Sequence, residues 1–151
     1  MSLDTLPVTG QEIGVANIAG RALIDELLGS EGTTFERWLV LNLLVTRGPT
    51  FERAALVQAV ATGTRANADS IRQLLIQLES EDLVREVADG IELSPAGLAL
   101  FGRWREAVGR VTAEIYAPFD RADLAITRRV LVQLTERTNA WLAAAQGTSA
   151  A

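Results

Sequence analysis

The sequence predicts a mainly α-helical fold with one small β-hairpin, and three observations between Thr64 and Leu98 support this. Apolar residues recur at helical spacing behind Asn67, which is a suitable N-cap residue. Two short β-prone runs then flank Asp89-Gly90, a dipeptide that is typical of tight hairpin turns. Ser94-Pro95 supplies an N-cap and a proline at the first position of a further helix. A helix, a hairpin and a helix in this order are the layout of a winged helix-turn-helix.

Two helices are predicted at the start of the chain. The segment Thr9–Glu12 has the pattern of a capping box and predicts a helix over residues 10–28, with Gly29 as its C-terminal cap. The segment Thr33–Glu36 has the same pattern and predicts a second helix that extends to residue 47. Both helices carry an apolar stripe, so each is expected to pack against other elements.

The helix-turn-helix itself is predicted from Thr50 onward. Thr50 is expected to cap a short helix over residues 51–61, and Thr62–Thr64 is expected to form the turn because its central glycine is conformationally permissive. The helix over residues 68–81 then follows, and we call it the recognition helix. Four of its residues are predicted to face the core: Ile71, Leu74, Leu75 and Leu78.

The hairpin and two further helices complete the prediction of about six helices and one short wing. The two strands of the hairpin are expected at Leu83–Val87 and Ile91–Ser94. A long helix is predicted over residues 95–116, and Pro118 is expected to end it. Asp120 is a suitable cap for the last helix. The buried side of that helix is predicted to consist of Leu124, Val130, Leu131, Leu134 and Leu142.

Composition limits the class of protein. A chain of 151 residues with 48% hydrophobic residues is expected to form one domain with a real core. No apolar run approaches the length of a membrane span, and the first residues lack the order of segments that marks a secretion signal. These features predict a cytoplasmic protein without a membrane partner.

The missing residue types exclude much chemistry. Cysteine, histidine and lysine are all absent, so zinc sites of the Cys/His type, Ser-His-Asp nucleophiles and Schiff-base chemistry are excluded. We therefore predict no catalytic residue, no metal and no cofactor. The net charge of −5 has the wrong sign for a DNA-binding protein, since phosphate contacts dominate DNA affinity. DNA binding would therefore require a locally basic surface.

At the recognition helix and hairpin, the chain resembles the MarR family of bacterial transcription regulators. The matching motifs are Leu78-Glu79, Leu83-Val84 and the run Leu93-Ser94-Pro95-Ala96-Gly97, which corresponds to the start of the family's fifth helix. The resemblance covers roughly residues 33–143, with the elements in the same order. It implies a homodimer that binds double-stranded DNA at a pseudo-palindromic operator, with residues 10–29 and 95–145 forming the dimerisation helices and residues 33–94 the DNA-binding lobe.

The resemblance and the chemistry of base recognition together give a set of candidate DNA contacts. Ser70, Arg72 and Gln73 occupy positions that match base-reading and phosphate-contacting residues of the family. Arginine can read guanine and amides can read adenine, whereas an ordinary solvated helix surface is the alternative interpretation. The whole predicted DNA-binding set is Thr64, Arg65, Asn67, Ser70, Arg72, Gln73, Gln77 and Arg85.

Three departures from the family pattern concern the same region. Members of the family usually carry basic residues where Gln73 and Gln77 stand, and a longer wing with an arginine that enters the minor groove. Here the hairpin closes at once and has no arginine at its tip, so minor-groove contact by the wing is not expected. Asp82 replaces a glycine of the family, and we expect it to adopt a left-handed conformation.

The resemblance also implies a small-molecule effector, because family members often bind phenolic or other aromatic acids. Trp38, Trp104 and Arg105 are the candidates to border such a pocket, with the arginine pairing with a carboxylate. The alternative is that both tryptophans belong to the core, as aromatic residues at helical spacing usually do.

Two functions from different classes are consistent with these features. The first is a homodimeric, DNA-binding transcription regulator that responds to a small aromatic effector. The second is a winged-helix dimer with weak or lost DNA binding that acts as a protein-interaction or ligand-sensing module. The acidic balance and the short wing favour the second function, whereas the motifs of the recognition helix favour the first.

Overall fold

The computed structural model describes residues 8–48 and 50–148 of the chain. The described residues form six helices and a three-stranded antiparallel sheet, which confirms the predicted winged-helix fold class. The elements in chain order are α1 (Gly10–Ser30), α2 (Phe35–Thr46), β1 (Thr50–Phe51), α3 (Arg53–Thr64), α4 (Ala68–Ser80), β2 (Val84–Val87), β3 (Gly90–Leu93), α5 (Pro95–Tyr116) and α6 (Arg121–Thr148). The described residues divide into two compact units, the first ending at Arg110 and the second beginning at Val111.

The first two helices form where predicted, but two of their caps are shifted. The capping box at Thr9 is present, whereas α1 continues past Gly29 and the left-handed residue is Gly32, with a φ of 70°. The amide of Thr33 bonds to the carbonyl of Leu28 at 3.0 Å, which completes a Schellman motif. Thr33 therefore belongs to the motif that ends α1, and the N-cap of α2 is Thr34.

The prediction that Thr50 caps the third helix was wrong. Thr50 and Phe51 form β1, which pairs with β3 through Thr50↔Glu92 and Phe51↔Ile91. Glu52 caps α3 instead, because its carboxylate accepts the amides of Ala54 and Ala55 at 2.8 and 2.7 Å. A two-residue strand lacks the alternation that would distinguish it from a helix start.

The turn of the helix-turn-helix lies later than predicted. The helix α3 continues through Thr62–Thr64, and the chain reverses at Arg65, which has a left-handed backbone with a φ of 58°. Asn67 caps α4 as predicted, since its side-chain oxygen accepts the amide of Asp69 at 2.7 Å. The left-handed position of the turn is thus held by Arg65 and not by Gly63. Gly63 lies within α3, where an added Cβ would be 3.1 Å from the side chain of Leu39.

The core of the first unit is formed by the apolar sides of α2, α3 and α4, closed by the sheet and the start of α5. Its members are Leu28, Val40, Leu41, Leu44, Leu56, Val57, Val60, Ile71, Leu75, Leu78, Leu83, Val84, Ile91, Phe101 and Trp104, all of which are at most 8% exposed. This packing fixes one side of α4 and leaves the other side in solvent.

The hairpin turn is one residue earlier than predicted. Val87 pairs with Gly90, so Ala88 and Asp89 form the two-residue loop. Gly90 has a φ of 134°, and a Cβ at this position would lie 2.2 Å from the carbonyl oxygen of Phe51. Glycine is needed here for two reasons, because residues with a side chain rarely adopt this φ and because β1 approaches the position closely. Asp82 adopts the predicted left-handed backbone, with a φ of 55°.

The start of α5 is held tightly against the start of β2. Ser94 is 2% exposed; its amide bonds to the carbonyl of Leu83 at 3.1 Å, and its hydroxyl donates to the carbonyl of Asp82. The same hydroxyl accepts the amide of Gly97 at 2.9 Å, which makes Ser94 the N-cap, as predicted. A Cβ at Gly97 would lie 2.0 Å from the Leu83 carbonyl oxygen, so only glycine fits there.

The second unit contains the end of α5 and the whole of α6. Asp120 caps α6 as predicted, because its carboxylate accepts the amide of Ala122 at 2.7 Å. The prediction of a buried side on α6 was wrong for the single chain, where Leu124 is only partly buried and the other members of that set are exposed. The exposed large apolar residues of α6 are Ile126, Val130, Leu131, Val132, Leu134, Trp141 and Leu142.

Candidate nucleic-acid interface

The recognition helix α4 presents a continuous polar surface on the side opposite the core. Ser70, Arg72, Gln73 and Gln77 are all exposed. Ser70, Gln73 and Gln77 recur at spacings of three, four and seven residues and so lie along one side of the helix, and Arg72 lies beside Gln73. The side chains of Ser70, Gln73 and Gln77 have no hydrogen-bond partner among the described residues. Donors and acceptors on this surface are therefore available to an external ligand.

The turn before α4 uses two of the predicted contacts for its own structure. The hydroxyl of Thr64 donates to the carbonyl of Val60 at 2.8 Å and accepts the amide of Ala66 at 3.2 Å. The side-chain oxygen of Asn67 is occupied as the N-cap of α4. Arg65 differs, since it is exposed and makes no ion pair within the described chain. Of the three turn residues, Arg65 has the side chain that is freest to contact a phosphate.

The two other predicted cationic contacts are paired with carboxylates. Arg72 forms an ion pair with Asp69 one turn earlier on α4, and both side chains are more than half exposed. Arg85 on β2 lies opposite Glu92 on β3, and its Nε is 2.5 Å from a carboxylate oxygen of Glu92. Exposed pairs of this kind contribute little free energy, about 0–1 kcal/mol, so a phosphate can compete for either arginine.

Two further ion pairs anchor α4 to the rest of the lobe and were not predicted. Arg53 at the start of α3 donates a bidentate pair of hydrogen bonds to the carboxylate of Glu79, at 2.6 and 3.1 Å. It also forms a longer ion pair with Glu86, at 3.5 Å. Arg37 of α2 makes a similar contact with Glu81, through one bond of 3.0 Å and a second, shorter one. The partners lie 26 to 44 residues apart, so no local sequence pattern indicates them.

These pairs shift the ionisation of the carboxylates. The hydrogen bond from Arg53 lowers the pKa of Glu79 below its ordinary value, and it raises the pKa of Arg53 in turn. The hydrogen bond from Arg37 lowers the pKa of Glu81 in the same way. Both carboxylates are therefore firmly ionised at neutral pH, and they hold the two arginines within the lobe.

The segment around α4 carries more carboxylates than arginines, whereas on the polar surface of α4 the charge of Arg72 is offset by Asp69. Residues 50–94 contain four arginines and eight carboxylates, a net charge of −4. Three of these arginines form ion pairs within the described residues, and Arg65 is the exception. The hairpin tip, Ala88-Asp89, adds a carboxylate and no cation. DNA recognition by this surface would rely on amides and on arginines that exchange partners.

The three residues predicted to border an effector pocket differ in how deeply they are buried. Trp104 is 3% exposed and belongs to the core. Trp38 is half-buried between two rings, 5.4 Å from Phe35 and 6.5 Å from Phe101 between centroids. Arg105 is exposed. The indole N–H of Trp38 is buried and lacks an acceptor among the described residues, which is unusual for a buried donor.

A groove of about 420 Å³ lies elsewhere in the first unit, at the base of the wing. Its walls are Leu44 and Val45 of α2, Gly48, Arg85 of β2, Glu92 and Leu93 of β3, and Leu98 of α5. Its polar edge is the Arg85–Glu92 ion pair, and the rest is apolar. Apart from Arg85, none of these residues was a predicted site residue, because their proximity depends on the tertiary fold.

Two negative findings hold for the described ranges. None of the described helices has the length and apolarity needed to cross a membrane. Residues 8–48 and 50–148 also hold no group of three acidic side chains arranged to bind a metal ion.

No protein-family model and no curated protein sequence matches the chain. Solved structures do match. The transcriptional regulator PA3341 has a TM-score of 0.71 at 23% identity, over 86% of this chain and 97% of its own. The Mycobacterium tuberculosis MarR family protein Rv2887, crystallised with DNA, gives 0.65 at 19%, over 85% and 98%. MarR from E. coli, in its reduced form, gives 0.64 at 16%, over 87% and 96%. The chain thus has the fold of the MarR-family regulators, as its motifs suggested.

Proposed function

We propose that this protein is a DNA-binding transcription regulator of the MarR type that acts as a homodimer on a pseudo-palindromic operator. The observation that carries the proposal is the exposed surface of α4. One side of this helix is fixed by the core through Ile71, Leu75 and Leu78, while the other side exposes the amides of Gln73 and Gln77, which have no partner among the described residues. A rigid helix with such a surface matches what insertion into the major groove requires.

The fold comparison supports the same function. Rv2887, which shares the fold, has been crystallised with DNA, and PA3341 is described as a transcriptional regulator. The short wing of this chain restricts the proposed interface to the major groove and the adjacent phosphates.

The exposed surface of α6 supports a homodimer. Seven large apolar side chains of this helix are exposed in the single chain, including Trp141 at 70% and Val130 at 53%. Isolated exposed apolar residues are common, but a row along one helix usually marks an interface. A second copy related by two-fold symmetry would cover this surface and would supply the second recognition helix.

In the proposed complex each polar residue has a separate role. Gln73 and Gln77 contact base edges, and Ser70 contacts a base or a phosphate. Arg65 and Arg85 contact phosphates, whereas Arg72 reads a guanine. Arg72 must first leave Asp69, and Arg85 must leave Glu92, so each contact replaces an internal ion pair with an intermolecular one.

The test is fluorescence anisotropy with the full chain and a duplex from upstream of its own coding sequence, at low and at physiological salt. A second duplex, enriched from a randomised library, covers operators located elsewhere. Specific binding should weaken linearly on a log–log plot as salt rises. Gln73→Ala should weaken specific binding, and the control Arg103→Ala, which removes an exposed arginine of α5, should not. A protein that enriches no sequence and binds no duplex at low salt would contradict the proposal.

A second candidate function is a winged-helix dimer that binds a protein rather than DNA. The net charge of −4 over residues 50–94 and the pairing of three of the four arginines in that range favour it, because both reduce attraction to phosphate. This candidate predicts dimers in sedimentation without measurable DNA binding at low salt. Measurable specific binding would reject it.

A small aromatic effector is the remaining part of the proposal. Rv2887 has been crystallised with salicylic acid and with p-aminosalicylic acid, and the unpartnered indole N–H of Trp38 is a donor suited to a ligand oxygen. Salicylate should raise the melting temperature of the wild-type protein, as any ligand of the native state does. The variant Trp38→Phe keeps a ring at this position but removes the N–H, so the shift should shrink. An equal shift in both proteins would exclude Trp38 as a contact.

A further inference from the structure

One apolar side chain stands in the middle of the polar surface of α4. Ile76 is 50% exposed. Within residues 50–94, all of which the structure describes, it is the only large apolar residue that is exposed. Every other large apolar residue of this range is at least partly buried, although the amphipathic pattern of α4 would readily accept a polar residue at position 76.

The position of Ile76 relative to the amides is specific. It lies one helical turn after Arg72 and Gln73, at spacings of four and three residues, so it shares their side of the helix. Gln77 follows it directly on the adjoining part of the same surface. An isoleucine surrounded by these side chains would contact whatever they contact.

The chemistry of the major groove offers one apolar group, the 5-methyl of thymine. Glutamine pairs with the N6 and N7 atoms of adenine, so Gln73, Gln77 and Ile76 all complement A·T pairs. We infer that Ile76 is a specificity-determining residue that packs on a thymine methyl, and that the C-terminal half of α4 selects an A·T pair. This inference rests on the proposed function, since it assumes that α4 enters the major groove.

The experiment uses a duplex that the full-length wild-type protein has enriched from a randomised library. Each thymine is replaced in turn by deoxyuridine, which removes only the methyl group and preserves base pairing. Dissociation constants are measured by anisotropy for the wild type, Ile76→Ala, Ile76→Val and the control Leu98→Ala. Leu98 is also an exposed apolar helix residue, at 56%, but it lies on α5.

The expected result is a coupling between one protein group and one base methyl. At one thymine per half-site, uracil should weaken wild-type binding by about fourfold, the factor that corresponds to about one buried methyl group. The same replacement should leave binding by Ile76→Ala unchanged, Ile76→Val should fall between, and Leu98→Ala should behave as the wild type. Circular dichroism should show that Ile76→Ala is folded, since alanine favours helix more than isoleucine does.

The other outcomes distinguish a failure of the inference about Ile76 from a failure of the proposed DNA-binding function. If specific duplexes are enriched but no uracil position is coupled to Ile76, the inference is overturned and the proposed function stands. The same holds if Ile76→Ala binds the enriched duplex as tightly as the wild type. If no duplex is enriched, the proposed function fails, and the inference falls with it.

Discussion

Replacing Gly97 with alanine tests how tightly the start of α5 is held against β2. The new Cβ would lie 2.0 Å from the carbonyl oxygen of Leu83 and 2.9 Å from its carbon. An ordinary contact between carbon and oxygen is about 3.3 Å, so the helix start would have to move by about 1.3 Å. That movement would stretch the bonds of Ser94 to the carbonyls of Asp82 and Leu83.

The cost can be worked from these contacts. Each stretched hydrogen bond accounts for about 1 kcal/mol, and forcing a side chain into a packed site costs typically about 1–3 kcal/mol. Alanine recovers up to about 1 kcal/mol because it favours helix. Gly97→Ala should therefore lower the free energy of unfolding by about 2–4 kcal/mol. The matched control is Gly102→Ala on the same helix, where an added Cβ meets nothing within 4 Å.

Urea unfolding at one fixed protein concentration measures the difference, because self-association makes stability depend on concentration. With a slope of about 2 kcal/mol per molar urea, the middle of the usual range, the midpoint of Gly97→Ala should fall by roughly 1–2 M. Gly102→Ala should shift slightly upward, by about 0.5–1 kcal/mol in free energy. If the two variants were equally stable, the junction of α5 with β2 would not be as close as the structure shows.

Three further predictions concern the ion pairs. Arg72→Ala should weaken an enriched duplex by roughly 1–3 kcal/mol and random DNA much less; equal losses in the two anisotropy titrations would make Arg72 a phosphate contact. Glu92→Gln releases Arg85, so all duplexes should bind up to about fivefold more tightly; unchanged affinity would place Arg85 away from DNA. The pKa of Glu79 is lowered in the folded state, so its pair with Arg53 stabilises the protein above the ordinary glutamate pKa of 4.5 and this contribution is lost as pH falls through the lowered pKa. Glu79→Gln should therefore lose less stability than the wild type on acidification, and identical acid unfolding curves would contradict this.

Much of the fold could be predicted because its local signals are strong. The caps at Thr9, Asn67, Ser94 and Asp120 each act within three residues, and all four are present in the structure. Of the helices they begin, α4 also has enough apolar residues at regular spacing to indicate which side is buried, and Ile71, Leu75 and Leu78 are buried as that spacing predicts. The run Leu93–Gly97 identified the α5 junction, where Gly97 is sterically required.

The errors occur where tertiary contacts decide the structure. Thr50 has a good capping side chain, but pairing with β3 places it in a strand. Gly63 is the conventional residue for a turn, yet the left-handed position falls on Arg65, two residues later. The ion pair between Arg53 and Glu79 joins residues 26 positions apart and leaves no periodic trace in the sequence.

The candidate DNA contacts remain predictions, and the ion pairs determine what kind of DNA recognition they permit. Non-specific binding depends mainly on how many phosphates a protein neutralises. In residues 50–94 one arginine, Arg65, makes no ion pair, whereas Gln73, Gln77 and Ile76 offer contacts to base edges without any charge. A recognition surface of this composition should bind random DNA weakly and should depend on base contacts for most of its affinity. If the protein binds DNA as proposed, its ratio of specific to non-specific affinity should therefore be high, and the salt dependence of its DNA affinity should be shallow.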